Sequence, residues 1–161
     1  MVDIQTVSIV IASATVVAGV VYYALQLRQQ IKQRQTDLVI RLYSTLGSKE
    51  FYEALTKFMT MDFKDYNDYM KKYTPSPVGF SEKPEAMVIW QVGIFFDEIG
   101  VLLYMKLIGI TLTARLFRNA VVFAWEKMKP IIEGFRKQLN EPRLYGWFEY
   151  LYNEMKKIPA T

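Results

Sequence analysis

IQTVSIVIASATVVAGVVYYALQL, residues 4–27, holds no charged side chain between Asp3 and Arg28. About 20 apolar residues at about 1.5 Å rise are needed to cross a hydrocarbon layer of about 30 Å, and this stretch supplies them. It predicts one membrane-spanning helix. A cleaved signal peptide would open on basic residues and carry an apolar core of about 7–15. Here Met-Val-Asp precedes a longer run, and Ala12-Ser13-Ala14, which mimics a cleavage site, falls in its middle. An uncleaved anchor is therefore expected. Arg28, Lys32, Arg34 and Arg41 follow the span and no basic residue precedes it. The Lys/Arg bias puts the N-terminus outside the cell membrane and the body in the cytoplasm.

The span is not uniformly greasy. Ser8, Ala12, Thr15 and Gly19 recur at i, i+4, i+7 and i+11, one stripe of small residues. Small residues let helices approach closely in lipid, where packing drives association. The stripe points to a partner helix, from a second copy or from another membrane subunit.

Outward from the span, LRQQIKQRQTDLVIRLYSTL contains neither Gly nor Pro, and Leu27, Ile31, Leu38, Leu42 and Leu46 recur at helical spacing. The same helix is expected to run on through 28–46 as a single rod, ending at Gly47. A helical body of about five helices follows over 47–157. Ser48 is the expected N-cap of a helix with Phe51, Leu55, Phe58 and Met59 on one face. A short helix after Asp65 carries Tyr66, Tyr69, Met70 and Tyr73. TPSPVGFSEKP, 74–84, holds three prolines and reads as the main loop. From Pro84 to about Leu107 the chain is apolar on nearly every side. Asp97 and Glu98 near its centre argue for a core helix over a second span, since each costs about 2.5–3.5 kcal/mol in lipid. Gly109 is expected to end it and Thr111 to cap a fifth helix kinked at Pro130. A last helix after Pro142 turns Leu144, Phe148, Leu151, Tyr152 and Met155 inward. No stretch alternates as a strand does. The fold class is all-α.

Composition narrows the chemistry. The chain has neither cysteine nor histidine. Disulfides, thiolate nucleophiles, imidazole bases, the usual triads and nearly every zinc site are thereby excluded. After the span there are 20 Lys and Arg against 15 Asp and Glu, about +5. That mild excess suits an anionic leaflet at least as well as nucleic acid, for which no basic stripe interleaved with aromatics exists. No glycine-rich phosphate loop occurs. No cofactor is expected.

The Asp97-Glu98 pair is the most unusual local feature. Residues three and four away from each are mostly apolar or Gly, so at least one carboxylate is expected to face the interior. A buried charge network with Arg118 or Arg136 would satisfy it. A carboxylate site for Mg²⁺ or proton transfer is the alternative, although adjacent carboxylates on a helix point about 100° apart. Gly93, Asp97 and Gly100 share one stripe and predict a close backbone crossing. Tyr145, Trp147, Tyr150 and Tyr152 crowd the last helix on more than one face and make a candidate interface.

RQQIKQRQ after the span, FFDEIGVLLYMKLIG, WEKMKPIIEGFRKQL and GWFEYLYNEM together resemble a family of small single-span prokaryotic proteins carrying a domain of unknown function. The likeness rests on Phe95, Phe96, Gly100, Leu107, Ile108, Trp125, Pro130, Arg136, Phe148 and Leu151. It implies an anchor followed by helices and brings no catalytic residues. The expected function is that of a membrane-anchored, non-enzymatic interaction protein, an accessory subunit of a larger membrane complex. A membrane-bound enzyme or ion-handling protein using Asp97 and Glu98 is one alternative, and a sensor of anionic lipid surfaces is another.

Overall fold

In the computed structural model, residues 3–73 and 84–159 are described; most of the proline-rich loop at 74–84 lies outside them. Six helices and no strand occur among the described residues: α1 Ile4–Leu46, α2 Lys49–Thr60, α3 Tyr66–Tyr73, α4 Pro84–Tyr104, α5 Ile110–Gln138 and α6 Gly146–Lys157. The chain divides into two compact units, Met1–Asp37 and Leu38–Thr161.

The first unit is the apolar part of α1 and its polar continuation. Its apolar window is long enough to cross a membrane and none of it is buried. An N-terminal helix of this kind is compatible with a membrane anchor or a signal sequence. Its hydroxyls turn back on their own helix: Ser8 donates to the Ile4 carbonyl (3.0 Å) and Thr15 to that of Ile11 (2.9 Å). In hydrocarbon that bond is what a hydroxyl requires.

The second unit begins at Leu38, earlier than the expected boundary at 47, because Val39, Leu42 and Leu46 join its core. Leu42 and Leu46 of the helical row pack against the core, whereas Leu38 is exposed and its neighbour Val39 is buried. Ser48 caps α2 as its residue type predicts, accepting from the Phe51 amide at 3.3 Å. Lys127 closes the other end of α2, donating to the Met59 and Met61 carbonyls (2.5 and 2.8 Å) with its ammonium near the Phe58 and Phe63 rings. Burial pulls this lysine's pKa below its usual range.

α4 is the centre of the body, packed by α2, α5 and α6. It is also long and apolar enough to cross a membrane, but more than half of its apolar window is buried by these neighbours. Phe96 and Ile99 are fully enclosed, with Phe148 of α6 stacked on Phe96 at 5.1 Å. Each such side chain contributes about 1.5–3 kcal/mol by leaving water. Gly109 does not end α4. The helix stops at Tyr104, just before Lys106 takes a left-handed turn (φ 58°) and Leu107 donates back to the Leu102 carbonyl. Gly109 instead precedes α5 as its N-cap, a place that sequence spacing assigned to Thr111. Pro130 sits inside a single continuous α5.

α6 crosses α4 at very short range. A Cβ built on Gly100 would lie 2.1 Å from the Trp147 carbonyl oxygen, and one on Gly93 would lie 2.7 Å from the Tyr145 ring. Backbone, unlike a long side chain, cannot swing away. Gly100→Ala is expected to destabilise the body by about 1–3 kcal/mol, the usual cost of overpacking, read as a lowered urea midpoint with helical signal retained below it. An unchanged midpoint would refute the contact.

Candidate functional site

The polar groups that sequence singled out gather around α6, and they act on its backbone. The helix opens at Tyr145, which is left-handed (φ 53°) and supplies no side-chain cap. The Gly146 amide donates to the Arg143 carbonyl (2.8 Å), but those of Trp147 and Phe148 would lack an acceptor. Asp97 provides one from α4: Oδ1 accepts from the Trp147 amide at 3.0 Å and from Phe148 at 2.9 Å. A carboxylate here meets the positive end of the helix dipole. The glycines one turn on either side, Gly93 and Gly100, let α6 come close enough for that bond.

The arginines complete the arrangement. Arg136 donates from Nε to the Leu144 carbonyl (2.9 Å) and pairs with Glu149 in the first turn of α6 (2.8 Å). Arg118 donates from Nε to the carbonyls of Met155 and Ile158 (3.3 and 3.2 Å), closing the other end of the same helix. An acid thus stands at the N-terminus of α6 and a base at its C-terminus, each where the dipole favours it.

This corrects the expected buried charge network. Among the described residues no ion pair joins Asp97 or Glu98 to Arg118 or Arg136. Glu98 is exposed, since one residue along a helix turns the side chain by about 100° away from the crossing. Asp97 is half-buried. Burial raises its pKa above the ordinary carboxylate value, outweighing the opposite pull of the two amides and of Arg136. No group of three acidic side chains sits close enough to share a metal ion among the described residues.

The four aromatics have separate fates. Tyr145 is buried beside Trp90, its ring centroid 5.8 Å away. Its hydroxyl has no hydrogen-bond partner among the described residues, and burial pushes its pKa up. Tyr152 stacks on Trp125 (5.8 Å) and donates to Glu126 (3.2 Å). Trp147 and Tyr150 form a cluster with Tyr104, the Tyr104–Trp147 centroids being 4.5 Å apart. Trp147 and Tyr104 keep 38% and 57% of their surface exposed. In the first unit, Ser8, Ala12, Thr15 and Gly19 are all exposed, with nothing within 4 Å of a Cβ built on Gly19.

One site escaped the sequence reading. A cavity of about 480 Å³ lies between the start of α5 and the end of α6, lined by Thr111, Arg115, Arg118, Glu154, Lys157 and Ile158 among others. Only the tertiary packing brings these residues together.

A model of a family described as a domain of unknown function, DUF4760, matches residues 9–155. The chain belongs to the DUF4760 family. Comparison with curated proteins and with solved structures finds no match. The DUF4760 match covers the α4–α6 crossing and the α5 side of the cavity, and reaches into the apolar stretch of α1.

What the crossing needs from Asp97 is an acceptor, and the raised pKa says that its charge is a burden there. Asp97→Ala is expected to cost about 1–2 kcal/mol, the loss of a helix cap, while Asp97→Asn costs less than about 0.5 kcal/mol because its amide oxygen accepts in the same place. A carboxyl whose folded pKa is raised favours the folded state below its unfolded pKa and loses that contribution as pH climbs through the folded value. Wild type should therefore lose stability relative to Asp97→Asn as pH rises upward from the ordinary carboxylate value. Urea titrations across that window test both statements; equal losses for Ala and Asn would contradict them.

Proposed function

We propose that this DUF4760 protein is a membrane-anchored, non-enzymatic helical interaction protein that serves as an accessory subunit of a membrane complex, its N-terminus outside and its body in the cytoplasm. The observation that carries the reading is an apolar window of α1 with none of its surface covered by the chain itself. Such a surface is stable only in lipid or against a partner.

The stripe of Ser8, Ala12, Thr15 and Gly19 favours a partner helix, and it does not end with the apolar run. Gln26, Gln30 and Gln33 continue it at the same helical phase, all exposed. Small residues allow close approach within lipid, and neutral amides are able to hydrogen-bond across two helices where lipid gives way to water. Acid–base chemistry at Asp97 and Glu98 has less support, since Asp97 is engaged by two amides and Glu98 points elsewhere.

Extraction of the full chain in mild detergent, followed by mass spectrometry of what co-purifies, is expected to recover a second copy or a distinct membrane subunit in fixed proportion. Gly19→Leu, on the stripe, should abolish the association, whereas Val17→Leu, off it, should not. A monodisperse lone monomer, or equal behaviour of the two variants, would contradict the reading.

A further inference from the structure

At one end of the second unit, apolar side chains and cations are displayed together. The turn between α4 and α5 exposes Tyr104, Met105 and Leu107 (57%, 61% and 44%), and Trp147 of α6 lies against Tyr104. The turn is a Schellman-type stop, with Leu107 N–H bonded to the Leu102 carbonyl at 2.9 Å and Lys106 N–H to that of Leu103 at 3.0 Å. In that motif the residue in the place of Leu107 ordinarily folds back onto the helix. Here it stays out. Lys106, exposed, takes the left-handed position where glycine is usual.

Immediately beyond this turn the chain enters the cavity between α5 and α6. Arg115, Arg118 and Lys157 face it against one acid, Glu154, which already binds Lys157 at 2.5 Å. With Lys106, these described residues are four cations and one anion. Gly109, as the N-cap of α5, brings no side-chain acceptor, so the positive end of that helix also opens here.

We propose that this end of the body docks on the surface of an anionic bilayer, with Met105 and Leu107 entering the acyl boundary, Tyr104 and Trp147 at headgroup depth, and the Arg115–Lys157 cavity receiving a lipid phosphate. Charge complementarity selects the occupant. Lysine and arginine beside tyrosine and tryptophan match the water–lipid boundary of an anionic leaflet. A weak surface suffices, because a chain held in the bilayer presents its body to that bilayer at high effective concentration. The proposal rests on the anchor reading, and its test separates the two.

The chain has no cysteine, so single nitroxide labels are placed at Met105→Cys on the docking end, at Tyr52→Cys on exposed α2, and at Val17→Cys in the span. The full-length protein is studied in nanodiscs of phosphatidylcholine, with and without phosphatidylglycerol, by collision with oxygen, which concentrates in lipid, and with a nickel chelate, which stays in water. The expected result is a several-fold excess of oxygen over nickel collisions at Met105 in phosphatidylglycerol discs. That excess falls toward the Tyr52 value in phosphatidylcholine alone, or when Arg115→Glu and Lys157→Glu are added. A Met105 label as aqueous as Tyr52 while Val17 reports lipid overturns the docking and leaves that face to water or a protein. An aqueous Val17 overturns the anchor itself, and the docking with it.

Discussion

The Trp147 and Phe148 amides in the first turn of α6 take no acceptor from their own stretch of chain, and the body is arranged so that α4 supplies one. Asp97 can reach Trp147 and Phe148 only because Gly93 and Gly100 leave room for α6 to lie almost against the α4 backbone. That approach brings Phe148 over Phe96 and seats Leu151 and Met155 in the core without exposure. Arg118 and Arg136 then hold α6 from α5. A 12-residue helix is marginal by itself in water, so its order derives from these contacts.

The arrangement accounts for the charged side chains at the α4–α6 crossing. Asp97, Arg118 and Arg136 each bond to backbone, and Asp97 and Arg118 lie at the ends of α6 whose partial charge they oppose. Asp97 bears the desolvation of a half-buried carboxylate for a geometric purpose, which an amide would also serve. The exposed groups are the informative ones for function: the outer surface of α1 in the first unit, and the aromatic and cationic end of the second.

Much of this was legible in the residues. The absence of charge over 4–27, the periodicity that carries α1 to Leu46, Ser48 as a cap, and the Gly93–Asp97–Gly100 stripe are local signals, and local physics sets them. Four things were not. Which of Leu38 and Val39 enters the core is not legible, because both are equally apolar and only packing chooses between them. The end of α4 was placed at Gly109 on glycine's usual preference, whereas Lys106 accepts the left-handed turn. The partners of Asp97 were sought among arginines, yet the clue lay in the start of α6: Arg-Leu-Tyr-Gly-Trp contains no Ser, Thr, Asp or Asn, so the missing cap had to arrive from another helix. The α5–α6 cavity left no trace in sequence because its residues are brought together only across two helices.

Amide hydrogen exchange of the unmodified protein, read residue by residue, tests the α4–α6 crossing most directly. First-turn amides of a helix normally exchange freely, since nothing within the helix accepts from them. If Asp97 caps α6 from across the bundle, Trp147 and Phe148 exchange as slowly as Leu151 in the middle of the helix. Exchange of those two amides at the rate of an open helix end would show that the bond does not form, and the reason given for the glycine crossing would fall with it.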